Sequence, residues 1–164
     1  MLRKFKGVFL IGLIGCGIVG ATDVGNLTHN PHHMANWTKA EREVWQAIEI
    51  WNRAFAENDA EAYFQYISDD ITVLTPSNPY RVERKPDDRE EFAFGIRMAY
   101  NKVGIFQEMT ALVRVYGDTA FATYFSRGYY GEASAGGTMA YLKETDVLRR
   151  IDGQWKIVHV HVSK

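Results

Sequence analysis

Val44, Ile48, Trp51 and Phe55 recur at spacings of four, three and four, which marks the apolar face of a long helix. Thr38-Lys39-Ala40-Glu41 just before them has the form of a capping box. Asn58-Asp59 ends that helix and caps a short second one predicted over 60–67. A short apolar strand is predicted over 71–74, after Asp69-Asp70. The stretch 76–86 reads as a loop with a short strand around 80–83. Asp87 or Asp88 is expected to cap a third helix that runs to about Tyr100, with Phe92, Ile96 and Ala99 inward. The pattern then changes from helical to alternating. Strands are predicted over 104–116, 120–130, 139–150 and 154–163, with turns at Gly117-Asp118, in the Gly/Ala/Ser stretch 131–137, and at Asp152-Gly153. Helices first and an antiparallel meander afterwards predict an α+β fold: three N-terminal helices packed on the concave side of one curved, mainly antiparallel sheet.

Strand alternation then sorts side chains by face. In the last strand, Trp155, Ile157, His159, His161 and Ser163 fall on one face, and Lys156, Val158, Val160 and Val162 on the other. In the strand before it, Leu142, Glu144, Asp146 and Leu148 share a face.

Composition changes the picture in three ways. The net charge is −1, and Arg3, Lys4 and Lys6 sit at the extreme N-terminus, so the rest of the chain is mildly acidic. With no basic stripe, nucleic acid is not expected as a partner. The N-terminus itself reads as an export signal: a basic segment, then an apolar stretch at 7–19 too short to span a bilayer comfortably. Two processing readings stay open. Val19-Gly20-Ala21 is a small-residue cleavage site that would release a chain starting at Thr22, and Leu13-Ile14-Gly15-Cys16 resembles a bacterial lipobox with Cys16 lipidated. The organisation expected is an export signal at 1–21, a polar tether at 22–36 and a folded domain at 37–164. The protein is then periplasmic or secreted, or anchored to a membrane only through a lipid on Cys16.

Metal chemistry finds little support. His29, His32 and His33 lie in the tether without fixed geometry. His159 and His161 point the same way but lack a third ligand, and are expected to pack on the outer face. No metal or cofactor is therefore expected.

The segments Thr145-Asp146-Val147-Leu148-Arg149 and Asp152-Gly153-Gln154-Trp155-Lys156-Ile157-Val158-His159-Val160-His161-Val162-Ser163 resemble the close of SnoaL-like domains. They also look like the end of the association domain of calcium/calmodulin-dependent kinase II. Both groups belong to the nuclear-transport-factor-2-like superfamily, and the resemblance implies its cone-shaped fold. Tyr66 to Pro76 is similar to a stretch of ketosteroid isomerases. By that resemblance the general-base position falls at Thr75, which cannot act as a base near neutral pH. The oxyanion-binding tyrosine falls at Trp51 and the protonated aspartate at Asp146. The arginines of the kinase association domain fall at Ser126, Asp146 and Val162, so a carboxylate ligand held by them is not expected.

Both comparisons put Val158, Val160 and Val162 on a pocket wall with Glu144 and Asp146, joined by Tyr124 and Ser126 from the neighbouring strand. Asp146 is the candidate catalytic acid, its pKa raised by apolar surroundings; a paired structural carboxylate is the competing reading. Trp51, Thr75, Tyr124, Ser126, Glu144, Val158, Val160 and Val162 are the candidate ligand-binding residues. Three functions stay open: a binder of a small, largely apolar molecule; a cofactor-independent isomerase, dehydratase or cyclase using Asp146; or an oligomerisation module with a vestigial pocket. Self-association as a dimer or higher is expected through the face carrying Trp155, Ile157, His159 and His161.

Overall fold

The computed structural model describes residues 34, 36–97, 102–130 and 137–164. The export signal, Cys16, most of the tether, the 131–136 turn and the end of the third helix lie outside them. Three helices, α1 (Lys39–Glu57), α2 (Ala60–Gln65) and α3 (Lys85–Arg97), are accompanied by strands β1 (Ile67–Leu74), β2 (Val82–Glu83), β3 (Lys102–Tyr116), β4 (Thr119–Tyr130), β5 (Thr138–Ile151) and β6 (Gln154–Ser163). The strands form one sheet in the order β2-β1-β6-β5-β4-β3.

α1 starts where its capping chemistry says it should. The Glu41 amide donates to Thr38 Oγ1 at 3.2 Å, and the Thr38 amide donates to Glu41 Oε2 at 2.8 Å. It stops at Asn58, whose left-handed backbone (φ 59°) lets its N–H reach Ala54 and Phe55 carbonyls. Val44, Ile48 and Trp51 are buried along its apolar face, and Phe55 is half-buried against the core. Met34, expected in the tether, also packs against the core.

The second helix is shorter than expected, because β1 begins at Ile67 rather than Ile71. Ile67 pairs with Ile157 and Thr72 with His159, so Ser68 to Ile71 form an irregular excursion within β1. Two lysines brace it: Lys85 Nζ donates to the Ile67 carbonyl at 2.9 Å, and Lys156 Nζ donates to the Gln65 carbonyl at the end of α2. β1 runs parallel to β6, while β2 and the β3–β6 meander pair antiparallel, so the sheet is mixed. α3 begins at Lys85, two residues before Asp87, which puts Asp87 and Asp88 inside its first turn. Asp88 is buried rather than acting as an exposed cap.

One expectation about faces fails. Val147 pairs with His159 and Leu148 with Ile157, so Val158 is an extra residue in β6, a β-bulge. Alternation reverses across it. Trp155 (5% exposed) and Ile157 (0%) therefore belong to the core, as does Val160 (3%). They cannot form the outer self-association face. Val158 sits between the two frames, half-buried, and is not part of a valine wall running through Val160 and Val162. His159 keeps its expected outer position, its Nδ1 2.7 Å from Thr72 Oγ1 on β1. The exposed large residues of the outer face are instead Phe125, Met139 and Tyr141, with Tyr116 stacked on Phe121 at one end.

Candidate functional site

On the helix-covered face, alternation brings a polar group together in the middle of the core. β4 buries Ala122, Tyr124 and Ser126, and β5 buries Glu144, Asp146 and Leu148. Cross-strand pairing sets Tyr124 opposite Glu144 and Ala122 opposite Asp146. Val162 and Val160 on β6 lie opposite Glu144 and Asp146 on their other side. From above, α1 lowers Asn52, one turn past Ile48 on the buried face.

The Tyr124 hydroxyl is the hub. It lies 2.9 Å from Glu144 Oε2, 2.8 Å from Asp146 Oδ2 and 3.1 Å from Asn52 Nδ2. Ser126 Oγ donates to Glu144 Oε1. A phenol has one proton to give and two lone pairs to fill. With that single proton it cannot donate to both carboxylates, and Asn52 fills one lone pair. The arrangement closes when one of the two carboxyls is protonated and donates to Tyr124, while Tyr124 donates to the other. Burial acts in the same direction. It holds the Asp146 carboxyl well above its ordinary range, reinforced by the charge of Glu144 and opposed by the Tyr124 hydrogen bond. Burial also raises Glu144, but the hydrogen bonds from Ser126 and Tyr124 work against it. Burial thus favours the protonated form of Asp146, whose Oδ1 is buried and without a hydrogen-bond partner.

The arginines near Asp146 in sequence or on the adjacent strand do not pair with it. Arg150 binds Glu43 at 3.0 Å and lies over the Trp155 ring, Arg127 donates to Gln107, and Arg149 is exposed. Among the described residues Asp146 has no salt bridge.

Trp51 is buried beside Asn52 and packs on Tyr63 with ring centroids 5.2 Å apart. Its indole N–H neighbours the Tyr63 phenol but is buried without a hydrogen bond. Thr75 lies just past β1, its hydroxyl 3.0 Å from Ser77 rather than in the Tyr124 network. Tyr124, Ser126, Glu144 and Asp146 are thus joined directly, Val160 and Val162 flank them, and Thr75 and Val158 stand apart.

Three further groups belong to this interior. Asn52 was detectable as a polar residue on the apolar stripe of α1. Glu108 pairs with Ser126 across β3 and β4 and is raised by burial, eased by hydrogen bonding to Asn52. Asp88 resembles an ordinary helix-start acid, so nothing in the sequence distinguishes it. It is buried, with Oδ2 lacking a partner, and burial with the nearby Glu91 pushes its pKa up to about 7 against the pull of Arg89.

A hollow of about 620 Å³ opens at the surface between β2 and α3, lined by Glu83, Asp87, Glu90, Glu91 and Phe94 among others. It is shallow, and the buried orphan atoms are not in its lining. Among the described residues no group of three His, Cys, Asp or Glu is arranged to hold a metal ion.

A family model described as a SnoaL-like domain matches residues 44–164. Among solved structures, an NTF2-like protein of unknown function from Pseudomonas putida KT2440 aligns with a TM-score of 0.67 at 26% identity, over 77% of this chain and 87% of that one. A ketosteroid isomerase-like protein from Erwinia carotovora atroseptica aligns with a TM-score of 0.65 at 20% identity, over 78% and 98%. The association domain of CaMKII from C. elegans aligns with a TM-score of 0.62 at 18% identity, over 82% and 100%. A search of curated proteins finds no match.

Proposed function

The chain belongs to the SnoaL-like domain family, and from its buried acid–phenol network we propose that it binds a small, largely apolar molecule between helices and sheet, with a polar group of that molecule on Asp146. The observation that carries this reading is Asp146 Oδ1, an acceptor at the centre of the core with no partner. Native proteins leave very few such atoms, and each calls for a missing donor. A group placed there would lie beside Val160 and Val162 of β6, which supply apolar contact. Export follows from the basic and apolar N-terminal pattern, and intact mass of the mature protein tests it: a start at Thr22 or a lipidated Cys16 supports it, and a retained Met1 in the native host refutes it.

The test of binding is native mass spectrometry of the protein purified from its own cells, beside the Asp146→Asn variant. Wild type should retain a small molecule that the variant releases while melting at a similar temperature. Retention by both would remove Asp146 from the binding site.

A second reading, proton transfer of the isomerase or dehydratase kind, is favoured by the burial of Asp146, which raises its pKa. A neutral carboxylic acid in an apolar site can donate a hydrogen bond or a proton to a developing oxyanion. The similarity to a ketosteroid isomerase-like protein supplies a precedent of fold only.

A further inference from the structure

We propose that Glu144, Tyr124 and Asp146 act as one acid–base unit, in which Tyr124 passes a proton between the two carboxyls and Asn52 holds the phenol in the orientation that allows it. The proposal rests on the proton-transfer reading above and adds to it a proton store behind Asp146.

The Tyr124 hydroxyl lies 2.8 Å from Asp146 Oδ2 and 2.9 Å from Glu144 Oε2, both ordinary lengths for an O–H···O bond. Asn52 Nδ2 donates to one lone pair of that oxygen at 3.1 Å. One proton and one lone pair are then left for two carboxyls. The phenol must give to one and take from the other. Two arrangements satisfy this, and they differ only in which carboxyl carries the proton. Asn52 stands on the buried face of α1, so a helix sets the orientation of the phenol.

Moving from one arrangement to the other is a balanced exchange of protons. The Glu144 Oε2–H bond breaks as its proton passes to the Tyr124 oxygen, and the Tyr124 O–H bond breaks as its proton passes to Asp146 Oδ2. Tyr124 ends as the phenol it began. The negative charge moves from Asp146 to Glu144, and no further reactant is needed. Both protons move together, because burial holds the Tyr124 phenol well above its ordinary range and disfavours a free phenolate. Ser126 Oγ donates to Glu144 Oε1 and stabilises the charge that arrives there. An Asp146 that has given a proton away through Oδ1, the oxygen without a partner, is thereby recharged through Oδ2.

The surroundings keep the exchange within the unit. Both carboxyls are buried, and among the described residues neither forms a salt bridge. The titratable groups that bear on them are Glu108 of β3 and the Tyr63 phenol of α2, which itself lies in the field of Asp88. β6 presents Val160 and Val162 beside them. Two buried acids without a cation are best served by holding one proton between them, since that leaves one negative charge in the core instead of two.

The experiment is carboxyl-carbon NMR of the protein labelled at its Asp and Glu side chains, titrated from about pH 4 to pH 10 and assigned with Asp146→Asn and Glu144→Gln. The Asp146 and Glu144 carbons should both report the same two transitions, more than about one pH unit apart, with one proton leaving in each. Tyr124→Phe keeps the ring against Trp45 but removes the bridge. Because the phenol stabilises only the one-proton state, the two transitions should draw together by about one pH unit or more. Asn52→Leu leaves Tyr124 in place and frees a lone pair for a second protonated carboxyl, so it should move the lower transition upward; it carries the test if Tyr124→Phe does not fold. If the separation in Tyr124→Phe equals that of wild type, the coupling is charge alone and the relay falls. If Asp146 alone titrates high while Glu144 titrates as an ordinary carboxyl, the relay falls and the reading of Asp146 as an acid stands. If both ionise in the ordinary carboxylate range, both fall.

Discussion

At the scale of single residues, the core holds acids whose charge it disfavours. Asp88 shows this most clearly, since the folded protein holds its proton up to about pH 7, whereas an ordinary aspartate releases it near 3.8. Below pH 4 both states keep the proton and the fold has its full stability. As pH rises from 4 to 7 the unfolded chain gives the proton up first, so stability falls, by at most about 4 kcal/mol. The raised Asp146 and Glu144 act in the same direction. The protein should therefore melt at a higher temperature at pH 5 than at pH 8, the reverse of a fold stabilised by ionised carboxylates. Asp88→Asn should flatten this profile and raise the melting temperature at pH 8; scanning calorimetry across that range decides. An unchanged profile would mean that Asp88 is ionised at low pH in the fold. Ser126→Ala should cost about 1–3 kcal/mol in denaturant titration, because it takes one of two donors from buried Glu144. Asp146→Asn should cost less than about 1 kcal/mol at pH 7, because burial already favours the uncharged form of this side chain and an amide keeps a hydrogen bond with Tyr124. A loss of several kcal/mol there would show that Asp146 carries charge.

At the scale of elements, boundaries set by local chemistry were readable from the chain. The Thr38–Glu41 reciprocal bonds fix the start of α1, and Asp152 (φ 51°) with Gly153 (φ 80°) makes the turn of the last hairpin. That turn needs left-handed backbone at both positions, so Gly153→Val should destabilise by about 1–2 kcal/mol, measured by denaturant titration; no loss would mean that the hairpin tolerates another turn. What the chain did not reveal came from longer range. Nothing in Trp155 to Ser163 announces the bulge at Val158, because an extra residue is defined only by the partner strand. That single insertion moved Trp155 and Ile157 from an expected interface to the core. The candidate site was legible where regular alternation held, on β4 and β5. It was not legible at Asp88, which looks like a cap and becomes a buried acid only because α3 starts at Lys85.

At the scale of the molecule, the outer sheet face carries Phe125 (49% exposed), Tyr141 (62%) and Met139 (37%) in place of the residues first expected there. Phe125 pairs with Lys143 and Arg127 with Tyr141, so these large side chains stand on neighbouring strands. Exposed apolar groups gathered on one face mark an interaction surface. Sedimentation at micromolar concentration should give a dimer or larger, and Phe125→Glu with Tyr141→Glu should reduce it to monomer without unfolding. A wild-type monomer would overturn the expectation of self-association.

The parallel pairing of β1 with β6 bears on how the chain is made. β6 is the latest of the described strands to leave the ribosome, yet it lies in the middle of the sheet, between β1 and β5. Thr72 must wait for His159, 87 residues later, before it has its neighbour. Until then β1 and β2 have no lateral support from the meander, and the helices have only part of a surface to cover. Folding should therefore be delayed until β6 has been made, with a slow step set by long-range closure rather than by helix formation. A nascent chain stalled anywhere before Gln154 should remain open to protease, and the same chain released after Ser163 should become resistant in one cooperative step.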